Sequence, residues 1–300
     1  MRIMKKLALV TLTVFFCVMG YSQVSFADDN HAFPMLRMGV GARALAMGGA
    51  YTAVASDATA GYWNPAALAQ IEKLSISTMI AANMANDRKY NYASIAYRFD
   101  WGAVGFSWMN AGTSEIKYGD DNGKAPGSTF DANDHVFLFS YGSKMEKFYF
   151  GANFKVIASK IEEMSHTGIG FDAAAKYSVN DKADLGITVG DLGTKVGRNT
   201  VPVVFRIGGC VKPMEGISLP VEIEKIQNRG DLKLRLGGEY AYSFAENYMG
   251  MIRGGVNDGH FAIGAGLKIM NQFTIDYAYV SEVSNVFDEN HRISLSFNWK

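Results

Sequence analysis

Charged residues recur at every second position in the second half of the chain, between apolar neighbours. Glu222 and Glu224 flank Ile223, and Arg235 follows Leu234. Because successive side chains of a β-strand point to opposite faces, such charges share one face and can form ion pairs across strands. The same face is predicted to carry Arg206, Lys233, Glu239 and Arg253, extended by Lys155, Asp172, Lys176, Lys268 and Asp276. These residue types allow ion pairing rather than bond-making chemistry.

Residues that could perform catalysis or bind metal form no recognisable motif. The five histidines lie far apart without an H-E-x-x-H pair, and no G-x-S-x-G sequence occurs. The stretch 39–44 matches G-x-G-x-x-A, but it is not preceded by the strand that dinucleotide binding requires. We therefore expect no catalytic residue, no metal site and no cofactor. A membrane enzyme whose site is assembled from distant strands stays a minor alternative.

Alternation with a period of two continues almost unbroken from Lys73 to the end of the chain. It predicts about fourteen strands, several of them 10 to 15 residues long, which is enough to cross a bilayer at a tilt. The predicted strands begin near residues 73, 90, 102, 131, 147, 165, 182, 201, 216, 231, 247, 259, 272 and 289. The pattern predicts an all-β fold, namely a transmembrane antiparallel β-barrel over 73–300.

The predicted connections alternate in length. Those after even-numbered strands are tight, as at 100–101, 180–181 and 245–246, whereas the intervening ones are mostly longer and more polar, as at 116–133, 192–200 and 283–289. Short turns at one end and longer loops at the other are typical of outer-membrane barrels. The last strand ends on alternating aromatic and apolar residues up to Trp299 and Lys300.

Residues 1–27 read as a secretory signal peptide, with a basic start, an apolar middle and small residues before a cleavage point. Without that segment the chain has 26 Lys and Arg against 29 Asp and Glu, so nucleic acid is not an expected partner. Cys210 is then the only cysteine, which excludes an intrachain disulfide. We expect an exported protein integral to the bacterial outer membrane.

Residues 28–72 do not alternate and are rich in Ala and Gly. Asn64 and Pro65 begin a predicted short helix, because Asn is a capping residue and Pro suits the first helical position. Gly48 and Gly49 permit a turn or a close approach of two backbones. A small element of this composition fits inside a fourteen-strand lumen, so we expect a plug; a periplasmic extension is the alternative.

The sequence from Met47 to Ala69, which contains Gly48, Gly49, Asp57, Asn64 and Pro65, resembles the plug signature shared by FadL-type outer-membrane transporters and the PorV/PorQ family. Endings such as Asp276-Tyr277-Ala278-Tyr279 are nearer to PorV/PorQ. The resemblance implies transport or secretion without enzymatic activity. PorV/PorQ proteins serve type IX secretion by binding protein partners, whereas FadL proteins pass hydrophobic small molecules such as fatty acids. The favoured hypothesis is the secretion-associated barrel, and the FadL-like transporter is the alternative.

Within such a barrel, the predicted charged face points into the lumen, because charges facing lipid are costly. Two interpretations stay open for Arg43, Arg206, Glu222, Glu224, Arg235, Glu239 and Arg253. One is a set of structural ion pairs that hold the plug. The other is a polar conduit or gate in which Arg43 or Asp57 of the plug pairs with the wall.

Overall fold

The computed structural model describes residues 33–82, 88–118, 127–281 and 290–300. The predicted signal peptide (1–27), the start of the predicted plug (28–32) and the whole of the predicted loop 283–289 lie outside these ranges. Among the described residues no α-helix is both long enough and apolar enough to cross a membrane.

Fourteen strands of the described chain close into an antiparallel barrel. Each strand pairs with the next, β7 pairs with β9, and the last strand returns to the first. A fifteenth strand, β8, has two residues and pairs with the end of β7. The predicted barrel of about fourteen strands is confirmed. The strands are β1 (Leu74–Ala82), β2 (Lys89–Phe99), β3 (Gly102–Lys117), β4 (Thr129–Met145), β5 (Phe148–Ile161), β6 (Met164–Asn180), β7 (Ala183–Val196), β8 (Asn199–Thr200), β9 (Val204–Val211), β10 (Ile217–Ile226), β11 (Lys233–Ala245), β12 (Tyr248–Asn257), β13 (His260–Ile269), β14 (Phe273–Val280) and β15 (Asn290–Trp299).

The outer surface of the barrel is apolar because alternate strand residues point outward. On β5, Phe148, Phe150 and Phe154 are 39–47% exposed, whereas Asn153 and Lys155, which flank Phe154, point inward and are buried. Exposed apolar surface on this scale would be unfavourable in water and is typical of barrels that contact lipid.

Aromatic side chains fix the register of four neighbouring strands. Phe106, Phe139, Phe154 and Phe171 are direct partners across β3 to β6, with ring centroids 5.3–6.2 Å apart. Cross-strand aromatic pairs each contribute about 0.2–1 kcal/mol to the stability of a sheet. If one strand slipped by one residue relative to its neighbour, its phenylalanine would point into the lumen. The aromatic row therefore specifies the register between these strands.

Short turns lie at one end of the barrel, which we call the turn end, at residues 100–101, 146–147, 181–182, 212–216, 246–247 and 270–272. The opposite end is the loop end. The connections there are mostly longer, as predicted, with two exceptions: 162–163 and 258–259 are two-residue turns. At Asp258 and Gly259 both φ angles are positive, as a two-residue hairpin turn requires.

The predicted loop 192–200 is also wrong. β7 continues to Val196, after which the chain turns and β8 pairs with the end of β7. β7 also has two bulges against β6, where Asp191 and Gly193 have positive φ angles. The next strand, β9, begins at Val204 rather than near 201. Pro202 has no backbone N–H to donate to a ladder, so regular pairing starts only after it.

Residues 33–72, which we call the luminal segment, precede β1 and pack against the inner faces of the strands. Two α-helices, α1 (Ala42–Ala46) and α2 (Ala60–Trp63), and two 3₁₀ helices, Pro34–Arg37 and Pro65–Gln70, make up its regular structure. α1 contacts β12 to β15, and the second 3₁₀ helix contacts β2 to β6. Most of its alanines are completely buried. Small side chains let its backbone approach the wall on several sides.

Candidate functional site: the luminal segment and the charged wall

Glu239 of β11 joins the luminal segment to the barrel wall. Its carboxylate accepts two hydrogen bonds from Arg43 of α1, at 2.9 and 2.7 Å, and a third from Arg253 of β12 at 2.6 Å. Arg253 also donates to Asp276 of β14 at 2.7 Å. We call Arg43, Glu239, Arg253 and Asp276 the lower charge cluster. A bidentate guanidinium–carboxylate pair is among the stronger polar contacts in proteins, so it can anchor α1.

The groups around Arg43 keep its guanidinium group protonated. Burial lowers the pKa of Arg43, but the neighbouring Tyr51 and Glu239 have a larger opposite effect, and its pKa lies well above the usual value. The Tyr51 hydroxyl also accepts a hydrogen bond from the Arg43 guanidinium at 3.2 Å. The contact between α1 and the wall is therefore ionic throughout the ordinary pH range.

A second charge cluster lies higher in the wall and consists of Arg206, Glu222, Glu224 and Arg235. Arg235 donates to Glu222 and Glu224 at 2.8 Å each, and Arg206 donates to Glu224 at 2.7 Å. Glu222 and Glu224 are each 1% exposed. These four residues form the upper charge cluster, whose ion pairs follow from the register that sets Glu222 opposite Arg235 and Glu224 opposite Arg206.

The upper charge cluster holds the luminal segment through its backbone. The second carboxylate oxygen of Glu222 accepts hydrogen bonds from the N–H groups of Tyr51 at 3.2 Å and Thr52 at 2.9 Å. Those N–H groups lie in a non-helical stretch and would otherwise be buried without partners. Glu222 therefore links a wall ion pair to the path of the luminal backbone.

On the other side of the upper cluster, Lys155 of β5 is enclosed by two carboxylates. It pairs with Asp172 at 3.0 Å and with Asp191 at the β7 bulge. Asn153, two residues before Lys155, donates to Asp172 at 2.8 Å and to the carbonyl of Gly61 in α2 at 2.7 Å. The bulge, which sequence reasoning missed, is what brings Asp191 to this position.

Gly48 and Gly49 permit close contact with the wall. Both have positive φ angles, and a Cβ at Gly48 would lie 2.6 Å from the carbonyl oxygen of Val256 on β12. The wall supplies a matching glycine, because a Cβ at Gly255 would collide with the backbone of Met47 and Gly48. Two backbones thus touch where any side chain would separate them.

The predicted cap of the second 3₁₀ helix is confirmed. The Asn64 side-chain oxygen accepts from the N–H of Ala66 at 3.1 Å, and Pro65 occupies the first turn. The Asn64 amide group also donates to the carbonyls of Thr52 at 2.8 Å and Ala175 of β6 at 3.2 Å. Asn64 thereby connects the helix, the rest of the luminal segment and the wall.

Replacing Asn64 by alanine should lower the stability of the protein. The change removes a helix cap and two donated hydrogen bonds, and it leaves buried carbonyls unsatisfied, so we expect a loss of about 2–4 kcal/mol. Urea unfolding in detergent would measure it. Asn247→Ala, at an exposed turn, is the control, and equal midpoints for the two variants would contradict the role assigned to Asn64.

Asp57 and Lys176 contact the luminal segment rather than a wall charge. Asp57 accepts from the N–H of Thr59 at 2.9 Å, and within the described part of the chain it forms no ion pair with the wall. Lys176 of β6 donates to Gln70 at 2.7 Å. Of the two luminal residues suggested as wall partners, the structure places Arg43 against a wall carboxylate.

Sequence reasoning missed a serine-lined half of the wall, formed by Ser75, Ser77, Ser94, Ser107, Ser140, Ser294 and Ser296, which are all buried or nearly so. Ser294 accepts from the N–H of Ala42 at 2.8 Å, and Ser75 accepts from the N–H of Ala58 at 2.8 Å. In the sequence, serine at alternate positions of β1 and β15 is the pattern that could have indicated this surface. Ser75 and Ser294 thus hold the luminal segment on the side opposite the charged half.

Towards the loop end the lumen becomes apolar. Met79, Tyr90, Met109, Val136 and Ile157 of β1 to β5 are at most 1% exposed. They pack in one cluster with Met35, Leu36 and Val40 of the luminal segment. An apolar lining of this kind can accept an apolar molecule once the luminal residues that fill it move aside.

Towards the turn end a cavity of about 370 Å³ separates the luminal segment from β11 to β15. The lower charge cluster lines it, together with Asp57, Glu72, Lys268 and Lys300. Among the described residues no group of His, Cys, Asp and Glu side chains has a metal-binding arrangement. The site consists of ion pairs, hydroxyl groups and apolar surface.

Comparison with known proteins identifies the fold. No protein-family model matches the chain, and no curated protein matches it. The crystal structure of the toluene transporter TbuX of Ralstonia pickettii is similar at 14% identity and a TM-score of 0.66, covering 87% of this chain and 99% of that one. The toluene transporter TodX of P. putida is similar at 12% identity and a TM-score of 0.64, covering 87% of this chain and 99% of that one. A FadL homologue of Pseudomonas aeruginosa is similar at 12% identity and a TM-score of 0.57, covering 87% of this chain and 98% of that one. At these identities the likeness shows the fold alone, a fourteen-strand barrel like those of the similar structures.

Proposed function

We propose that the protein is an outer-membrane barrel that passes apolar small molecules across that membrane, with the luminal segment as its plug. The observation that carries the proposal is the apolar cluster of β1 to β5, which lines the lumen around Met79, Met109 and Val136. The apolar outer surface supports a position in the membrane. The role is non-enzymatic, and export through a cleaved signal peptide 1–27 belongs to the same proposal.

The comparisons favour the transporter over the secretion-associated barrel. The similar structures are described as transporters of toluene or as a FadL homologue, and no finding supports membership of PorV/PorQ or a role in type IX secretion. Because two of those structures are transporters of toluene, a monoaromatic hydrocarbon such as toluene is the first substrate to test.

Purification of the native full-length chain in mild detergent distinguishes the two functions. Mass spectrometry of the copurifying material should find apolar small molecules without a stoichiometric protein partner. Secretion components at equal amounts, with no apolar ligand, would overturn the transporter proposal.

Met109→Gln should reduce toluene uptake by cells that express the protein. The amide is similar in size to the thioether. The Tyr90 hydroxyl, which donates to the Met109 sulfur at 3.9 Å, can satisfy only part of its hydrogen-bonding capacity. Its burial in the apolar cluster therefore costs about 1–3 kcal/mol, and we expect roughly a tenfold lower rate. Met145→Gln is the matched control, because Met145 lies at the turn end and is 63% exposed. Equal uptake by cells with and without the folded wild-type barrel would refute transport.

A further inference from the structure

The turn-end cavity contains one charged group that the protein itself does not engage. Its acidic residues are all occupied: Glu239 and Asp276 by arginines of the lower charge cluster, Asp57 by Thr59, and Glu72 by Lys300 at 3.6 Å. The Lys268 ammonium of β13, by contrast, has no hydrogen-bond or ion-pair partner within the described chain, although its side chain is half-buried. The Lys268 ammonium is therefore available to bind an anion that enters the cavity.

Arg43 presents a second cationic surface to the same cavity. Its side chain is 27% exposed, whereas that of its partner Glu239 is 7% exposed. Arg43 lines the cavity, and its guanidinium group donates two N–H groups to Glu239 and one to Tyr51, which leaves one N–H on each terminal nitrogen. A guanidinium group has five N–H donors, so it can bind an incoming oxyanion beside its existing partner.

Neutral donors complete the lining. Asn271, Thr274 and Asn298 lie around the cavity near Lys268, and Met249 and Met251 contribute an apolar side. The volume of about 370 Å³ is large compared with the roughly 30 Å³ of one water molecule, so a small organic or inorganic anion fits.

We propose that the turn-end cavity binds an oxyanion, a phosphate or carboxylate group, between Lys268 and Arg43. The bound anion shares the positive charge of Arg43 with Glu239 and so weakens the contact that anchors α1 to the wall. This site is independent of the proposed transport of apolar molecules and lies at the opposite end of the lumen from the apolar cluster.

The test is a calorimetric titration of the purified full-length barrel in a neutral maltoside detergent with inorganic phosphate, at constant ionic strength set by sodium chloride. We expect saturable binding that Lys268→Gln weakens at least about tenfold, because it removes a charged hydrogen bond. Lys160→Gln is the matched control, since Lys160 lines a separate polar recess at the loop end. Wild-type affinity in Lys268→Gln, with the barrel folded, would overturn the proposal.

A second titration with a short-chain phosphatidic acid identifies the source of the oxyanion. Lys268-dependent binding of phosphate itself supports a soluble anion, and Lys268-dependent binding of the lipid alone supports a membrane headgroup. If neither compound binds saturably, the site does not exist.

Discussion

Glu239→Gln is expected to raise the leakage of small hydrophilic solutes through the barrel several-fold. The amide cannot balance the charges of Arg43 and Arg253, which both donate to the carboxylate in the wild type. Removing one partner from a buried ion pair costs about 3–5 kcal/mol, because the remaining charge is left uncompensated. Arg253 keeps Asp276, but Arg43 loses its only wall carboxylate among the described residues. The luminal segment should therefore separate from β11 more often.

Swelling of liposomes in sugar solutions measures this leakage directly. Glu72→Gln is the matched control, because it makes the same chemical change in an exposed pair with Lys300 at the rim, where such pairs contribute about 0–1 kcal/mol. Migration of unheated and heated samples in a gel verifies that each barrel is folded. Equal swelling rates for Glu239→Gln and wild type would show that Arg43–Glu239 does not restrain the luminal segment.

The alternation of strand residues was sufficient to predict the barrel, because a period of two is a local property that lipid on one side and a polar lumen on the other enforce. Strand starts near residues 90, 102 and 147 differ from the structure by no more than one residue. The end of β7 could not be predicted in this way. There Asp191 and Gly193 adopt positive φ angles inside a paired strand, and a sequence rich in Gly and Asp reads as a loop.

For the luminal segment, the sequence indicates which types of residue contact the wall but not which residues pair with each other. Arg43 and Asp57 were equivalent candidates for pairing with the wall, because the direction of each side chain depends on how α1 lies against β12 to β15. The serine half was overlooked for a similar reason. Serines on alternate strand positions are ordinary in any barrel, and only the position of the backbone N–H groups of Ala42 and Ala58 gives Ser294 and Ser75 a function.

Gly255→Val is expected to displace the luminal segment and to increase solute leakage more than Glu239→Gln does. A side chain at this position collides with the backbone of Met47 and Gly48, which has no rotamer by which to move aside. Overpacking a core against movable side chains costs about 1–3 kcal/mol of stability. The cost should be larger here, because the valine side chain presses on backbone atoms. Gly48 is fixed from its other side as well, because its positive φ angle belongs to the turn that follows α1.

The neighbouring residue provides a stringent control for this prediction. Gly254 lies on the same strand but on the outer face, with Ile252, and the nearest atom to a Cβ there is 3.9 Å away. Gly254→Val adds the same side chain to the same strand and should leave leakage at the wild-type rate. A reporter cysteine at buried Ala58 should react with a water-soluble maleimide only in Gly255→Val.

The pair of valine variants separates displacement of the luminal segment from damage to the barrel. If both variants fail to fold, β12 does not tolerate valine, and leakage reports strand assembly rather than the luminal segment. If both fold and only Gly255→Val leaks, the closure of the lumen depends on the contact between two backbones that Gly48 and Gly255 permit. If both fold and neither leaks, the luminal segment can withdraw from β12 without opening a path, and closure must depend on its contacts with Glu222 and with the serine half of the wall.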